Sequence, residues 1–220
     1  MRSHPLVPAI FIGLPIVVAV LFTSFLVMLV GNEPGKVFET VWMGAFRNSN
    51  AFAAVVNFWI PLVMVSMGLV ITFTAGLWNI GVEGQMMVGA VFASWAARSL
   101  DLPHPLQITV EMAAAGLGGA LWAGLVGLLK TKLGVNEIFG GVGLNALANL
   151  LAIYLISGPW QPPEGGSAHS TQPFPANSLL PPISAEFPVS QVALVLAIAS
   201  IIGVTLALRG TRWGLQLKAT

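Results

Sequence analysis

Three polar side chains, Asn79, Glu83 and Gln85, interrupt an otherwise apolar part of the chain. They lie in the stretch T-A-G-L-W-N-I-G-V-E-G-Q-M-M-V-G-A, and no Asp, Glu, Lys or Arg occurs between Asn48 and Val82. An amide both donates and accepts hydrogen bonds, whereas a carboxylate only accepts them. The amides of Asn79 and Gln85 suit recognition of a neutral, hydroxyl-rich molecule, although amides also suit an amino acid.

A second set of polar residues follows about sixty residues later. Asn145 and Asn149 are four residues apart, so they share one face of a helix, with Gly141 in the same row. At membrane depth such side chains usually face a cavity or a protein partner. Both asparagines therefore either line a substrate path or form interhelical hydrogen bonds. Asn136, directly before Glu137, is also a plain helix N-cap.

Residues for covalent chemistry are scarce. The chain has no Cys, and His4, His104 and His169 fall in loops or near span ends. The stretch G-L-V-G-L-L-K-T resembles a phosphate-binding loop, but it lacks the glycine required before Lys130. We therefore expect no catalytic residues, no metal, no cofactor and no ATP binding by this chain itself.

Composition places most of the chain in lipid. Of 220 residues, 56% are hydrophobic and 8% are charged, against about 25% charged in soluble proteins. The mean hydropathy is +0.86. A net charge of +1 gives no reason to expect nucleic acid as a partner. The predicted fold class is all-α, a polytopic transmembrane helical bundle forming a single transmembrane domain over residues 1–220.

Charge-free windows predict about six membrane spans, because a span needs about 20 apolar residues. The first run is too long for a signal peptide. The third window is short, so its helix is either tilted, with Arg98 at the interface, or entered from a broken segment. The windows are Leu6–Val30, Phe52–Leu77, Gly84–Ala97, Met112–Leu129, Ile138–Ser157 and Val189–Leu208.

The distribution of Lys and Arg predicts a cytoplasmic N-terminus. The inner side would then carry Arg2, Lys130, Lys132, Arg209, Arg212 and Lys218, and the outer side only Lys36, Arg47 and Arg98. The segment 158–188, which contains eight prolines and no Lys or Arg, becomes an extracytoplasmic loop. It is either an ordered cap or a flexible linker.

Glycines in the opening stretch predict a break in the helix. Gly76, Gly81 and Gly84 disfavour a continuous helix, so we expect a break over residues 79–85. It is either a solvated turn or a re-entrant connection that lines a cavity. In the second case backbone N–H groups would hold Glu83, leaving Asn79 and Gln85 free to face substrate.

Four stretches carry a resemblance to a known family. They are A-G-L-W-N-I-G-V-E-G-Q-M-M-V-G-A, L-G-V-N-E-I-F-G-G-V-G-L-N, S-G-P-W-Q-P-P-E-G-G and R-G-T-R-W-G-L-Q-L-K-A-T. In this order they resemble membrane permeases of bacterial ABC importers for nucleosides, simple sugars and branched-chain amino acids. The G-P-W loop and the N-E pair favour the nucleoside or simple-sugar branch over the amino acid branch. Because relatives continue beyond L-K-A-T, the chain is expected to be the N-terminal part of a longer family domain.

The resemblance implies an inner-membrane permease subunit that works by alternating access and is not itself an enzyme. Its implied partners are a cytoplasmic ATP-binding subunit, a second identical or different permease subunit, an extracytoplasmic substrate-binding protein and membrane lipid. The candidate residues are Asn79, Gln85, Asn145 and Asn149 for the substrate path; Gly76, Gly81, Glu83, Gly84, Asn136 and Glu137 for structure or gating; and Arg209, Arg212 and Lys218 on the ATPase side.

A rival hypothesis from another class is a self-contained channel or secondary transporter. It requires internal repeats and ionisable residues within the membrane. The chain shows no clear repeat, and Glu83 and Glu111 are the only candidates for ion coupling. A membrane enzyme is a third possibility, without any nucleophile–base pattern to support it.

Overall fold

The computed structural model describes residues 6–165 and 170–219, so Ser3, His4 and His169 lie outside the described residues. Its elements are helices, joined by turns and loops. They are α1 (Leu6–Leu29), α2 (Pro34–Phe46), α3 (Ser49–Thr74), α4 (Val82–Ser99), α5 (His104–Leu133), α6 (Glu137–Ser157), α7 (Gln191–Gly210) and α8 (Arg212–Ala219), with a short 3₁₀ turn at Ala176–Ser178. The predicted all-helical class is confirmed.

Four helices among the described residues, α3, α5, α6 and α7, are long and apolar enough to cross a membrane. The described part of α1 passes this test only together with α2, across a bend of 112°, which gives up to five spans. The predicted third span is α4, which does not qualify because Glu83, Gln85 and Arg98 lie within its 18 residues. The count is thus four or five, where the sequence indicated about six.

The chain divides into two compact units. The first comprises the described part of Met1–Asn57 together with Ser184–Pro188. Within it, α1 is followed by a left-handed glycine, Gly31 (φ 83°). The Asn57 side chain donates a hydrogen bond to the Pro188 carbonyl at 3.0 Å. The second unit comprises Phe58–Ile183 and Val189–Thr220 and holds every predicted site residue.

In the second unit α4 packs against α5 and α6. Glycines allow the close approach of α4 to α5. A Cβ added at Gly89 would lie 2.9 Å from the Ala115 backbone oxygen, and one added at Gly119 would lie 3.3 Å from the Gln85 backbone oxygen. Such small-residue contacts are the usual way for helices to associate in lipid. Most large apolar side chains face outward, as expected where lipid rather than water surrounds the chain.

Candidate translocation site at the helix break

The chain breaks between α3 and α4, as the glycines predicted. Helix α3 ends at Thr74 and α4 begins at Val82, so no helix is continuous from Leu77 through Met87. Gly76 adopts a left-handed conformation (φ 70°), and the Leu77 N–H returns to the Thr72 carbonyl at 2.9 Å. The break lies earlier than residues 79–85, because Glu83 and Gln85 belong to the first turn of α4.

Asn145 of α6 caps the broken end of α4. Its Oδ1 accepts a hydrogen bond from the Gly84 N–H at 2.8 Å, and its Nδ2 donates to the Ile80 carbonyl at 3.0 Å. The first N–H groups of a helix have no intrahelical partner, and the N-cap residue Gly81 offers no side chain. The Asn145 side chain, from another helix, therefore caps the N-terminus of α4 in place of a local Ser or Asp.

Three glycines bring α6 close enough for this cap. A Cβ added at Gly141 would lie 2.8 Å from the Gly81 nitrogen, and one added at Gly84 would lie 2.9 Å from Asn145 Oδ1. Both positions are buried. Gly81, Gly84 and Gly141 are thus required by a close approach of two backbones.

Glu83 and Asn149 form a second contact between the same helices. The Asn149 Nδ2 donates to Glu83 Oε1 at 3.1 Å. We expected backbone N–H groups to hold Glu83, but its carboxylate accepts from a side chain, because α6 packs against α4 and brings Asn149 beside it. The Glu83 residue is exposed on the isolated chain.

Asn79 and Gln85 are bound to each other. Gln85 Nε2 donates to Asn79 Oδ1 at 2.9 Å, and Asn79 Nδ2 donates to Gln85 Oε1 at 3.3 Å. The expectation that both amides stay free is therefore wrong for this conformation, because paired amides satisfy each other across the turn. The pair lines a cavity of about 150 Å³ together with Trp78, Lys130 and Glu137.

An ion pair borders the same cavity. Lys130 near the end of α5 and Glu137 at the start of α6 approach to 3.1 Å. Asn136 is the N-cap of α6, as one of the two readings of the sequence predicted: its side chain accepts from the Ile138 N–H at 2.9 Å. Asn136 and Glu137 thus fix the connection from α5 to α6 beside the amide pair.

The basic residues predicted on the ATPase side cluster at the other end of the sequence. Arg209 lies in the last turn of α7, and Arg212 opens α8. Lys218 donates to the Leu208 carbonyl at 3.1 Å. A Cβ added at Gly214 would lie 2.5 Å from the Ala207 carbonyl oxygen, so this glycine allows α8 to fold back onto α7.

Arg98, which lies at the membrane interface in one of the two alternatives drawn from the sequence, connects the proline-rich loop to α4. Its Nη2 donates to Thr171 Oγ1 at 2.8 Å and to the Gln172 carbonyl at 2.9 Å. Its guanidinium carbon lies 4.5 Å from the centre of the Phe174 ring and 5.5 Å from that of Trp160. The described part of this loop is thus held to α4, which favours the ordered cap over the linker.

Sequence reasoning missed a buried polar network beneath the loop. Gln107 is fully buried; it accepts from the Leu102 N–H at 3.2 Å and donates to Glu111 Oε1 at 2.8 Å. The signal was available, since Gln107 and Glu111 are four residues apart in an apolar helix. Gln107 also donates to the Ala96 carbonyl at 3.4 Å, and only the folded chain shows that the network thereby joins the end of α4 to α5.

Comparison with known proteins identifies the family. The family described as "Branched-chain amino acid transport system / permease component" matches residues 51–220. A glucose ABC transporter permease protein of Haloferax volcanii is 30% identical over 72% of this chain and 44% of its own length. A guanosine ABC transporter permease protein of Bacillus subtilis is 30% identical over 70% of this chain and 43% of its own length.

A nucleoside ABC transporter permease protein of Lactococcus lactis subsp. cremoris is 24% identical over 66% of this chain and 40% of its own length. The chain spans less than half the length of these curated relatives. No solved structure is significantly similar to it. With its apolar helices the chain is a multi-pass protein of the inner cell membrane, and it belongs to the branched-chain amino acid transport system / permease component family.

Proposed function

We propose that this chain is part of the permease subunit of an ATP-binding-cassette importer and contributes to the translocation path for a nucleoside or a simple sugar. The observation that carries the proposal is the family match over residues 51–220. The named relatives handle glucose, guanosine and nucleosides. These relatives favour hydroxyl-rich substrates over branched-chain amino acids, which the family description alone would suggest.

The proposal assigns ATP hydrolysis to a separate cytoplasmic subunit, with a second permease subunit and an extracytoplasmic substrate-binding protein completing the transporter. Helix α8 and the basic residues Arg209, Arg212 and Lys218 form the surface through which nucleotide-driven movement reaches the spans. Close packing of α8 on α7 at Gly214 supports this, because a rigid contact transmits displacement.

The substrate path passes the helix break. In the described conformation Asn79 and Gln85 satisfy each other, so the cavity beside them offers few unpaired groups to a substrate. Opening of the pair would release amide donors and acceptors that match hydroxyl groups. Asn145 and Asn149 hold α6 to α4 at the same level and would keep the helix break intact while the pair opens.

The experiment that tests this function is reconstitution of the complete transporter in proteoliposomes. ATP-dependent uptake of radiolabelled guanosine, glucose and leucine is measured, with a hydrolysis-deficient ATP-binding subunit as the control. We expect uptake of guanosine or glucose that vanishes in the control. Uptake driven by an ion gradient without ATP would contradict the proposal and support a secondary transporter, while uptake of leucine alone would assign the amino acid branch.

A further inference from the structure

A small cavity lies at the end of α4 opposite the helix break. Its volume is about 140 Å³, and its lining residues are Ala93, Ser94, Ala97, Glu111, Phe174 and Ser178. An apolar cavity of about 150 Å³ holds a benzene molecule. The space therefore suits one five- or six-membered ring.

The carboxylate of Glu111 is oriented by a buried side chain, that of Gln107. Its Oε1 accepts from Gln107 Nε2 at 2.8 Å, and Gln107 is itself fixed by the Leu102 N–H. Among the described residues no hydrogen bond or ion pair is formed by Glu111 Oε2. A charged acceptor within an apolar span usually faces a cavity or a ligand.

Ser178 supplies a second polar atom. Its Oγ is buried and has no hydrogen-bond partner among the described residues. A hydroxyl can donate and accept, and buried polar groups are normally paired. An unpaired hydroxyl and an accepting carboxylate lining one small cavity indicate a ligand that brings hydroxyl groups of its own.

Phe174 completes the set. Its ring lines this cavity and also a neighbouring one of about 220 Å³, which contains Trp160 and Thr171. Ser94 likewise lines both cavities. Aromatic faces are apolar surfaces for C–H groups and flat rings, so a sugar ring in the first cavity could extend a planar substituent into the second.

We propose that Glu111, Ser178 and Phe174 form a binding site for the sugar ring of a nucleoside or a free monosaccharide, beneath the proline-rich loop. Glu111 Oε2 accepts hydrogen bonds from ring hydroxyls, Ser178 Oγ pairs with a neighbouring hydroxyl, and Phe174 covers the ring face. The class of ligand rests on the proposed function, whereas the cavity and its polar groups do not.

The test uses cysteine protection in the complete transporter held in nanodiscs. The chain has no native cysteine, so Ser178→Cys introduces a single thiol into it, and the partner subunits are used in cysteine-free form. The rate of its modification by a small, charged methanethiosulfonate reagent is measured with guanosine, glucose or leucine present. When a probe is present at about ten times its Kd, roughly one binding site in eleven is unoccupied. The modification of the thiol should therefore slow about tenfold.

We expect protection by guanosine or glucose and none by leucine. The matched control is Ser184→Cys, an exposed serine that does not line the cavity, whose rate should not change with any probe. Adding Glu111→Gln to Ser178→Cys keeps an acceptor for Gln107 but removes the charge, and should weaken the binding of the protecting probe about tenfold. Phe174→Leu, which keeps apolar volume without a ring, should weaken protection as well.

Several results would overturn the site. They are no protection by guanosine or glucose, equal protection by leucine or by sodium chloride alone, or a thiol in Ser178→Cys that never reacts and is therefore closed to ligands. Uptake of guanosine or glucose without protection removes this site and leaves the proposed function standing. Protection without ATP-dependent uptake removes the proposed function and leaves the site standing.

Discussion

Asn145 accepts a hydrogen bond from the backbone N–H of Gly84 at 2.8 Å, so a side chain of α6 caps the start of α4. The two residues are 61 positions apart. The same amide donates to the Ile80 carbonyl, which lies in the connection just before α4. The broken connection is thus bound to a neighbouring helix at two points, which supply the cap that Gly81 cannot provide.

The first prediction concerns this cap. Asn145→Leu leaves the Gly84 N–H and the Ile80 carbonyl without partners, and should lower the free energy of unfolding by about 1–3 kcal/mol. Asn149→Leu is the matched control, because its partner Glu83 is an exposed side chain, and it should cost less. The stability of both variants is measured by thermal unfolding of the purified protein in detergent.

Uptake by the complete transporter separates the two roles of Asn145. If Asn145 only stabilises the structure, uptake and membrane abundance fall together in Asn145→Leu. A variant that melts like the wild type and reaches normal abundance, yet takes up no substrate, would place Asn145 on the path instead.

A second prediction concerns the contact between Gly81 and Gly141. Gly141→Ala would put a Cβ 2.8 Å from the Gly81 nitrogen, and a backbone atom cannot move away cheaply. We expect a loss of about 1–3 kcal/mol, as for other overpacked sites. Gly143→Ala on the same helix meets nothing within 4 Å and should be neutral or stabilising by up to about 1 kcal/mol. Equal melting temperatures for the two variants would contradict the close approach.

The helix break could be predicted from sequence, but its partners could not. Gly76 and Gly81 disfavour helix through local backbone preferences, and Asn136 caps α6 through a bond to a residue two positions away. The bonds of Asn145 and Arg98 join residues 61 and 73 positions apart. They depend on how α6 and the loop are rotated relative to α4, which no periodicity in a single sequence records.

The third prediction concerns Arg98. Arg98→Ala removes the bonds to Thr171 and Gln172, and amide hydrogens of residues 171–180 should exchange at least about tenfold faster, which corresponds to about 1.4 kcal/mol. Arg98→Lys should restore only part of the protection, since a lysine lacks the planar guanidinium that lies over the Phe174 ring. Arg47→Ala, in the other unit, is the control and should leave this exchange unchanged. An unchanged loop in Arg98→Ala would show that other contacts hold it.

The fourth prediction concerns membrane orientation. Because the chain has no native cysteine, Ser170→Cys and Ser3→Cys can be labelled one at a time in intact cells with an impermeant maleimide. The six-to-three distribution of Lys and Arg predicts that Ser170→Cys is labelled from outside and that Ser3→Cys is labelled only after the membrane is opened. The reverse pattern would invert the topology and move the proline-rich loop to the cytoplasm.

The last prediction concerns the amide pair. Asn79 and Gln85 bond each other twice, so Asn79→Ala and Gln85→Ala should each remove the same contact, and the double variant should be no less stable than the worse single one. The coupling should be about 0.6 kcal/mol, the average for side-chain hydrogen bonds in a membrane. If the amides also meet substrate when the pair opens, each single variant should raise KM for guanosine or glucose about tenfold, as expected for a loss of about 1.4 kcal/mol, at normal abundance. If the two substitutions are coupled in their effect on stability but leave KM and kcat unchanged, the pair only stabilises the helix break, and both residues are removed from the substrate path.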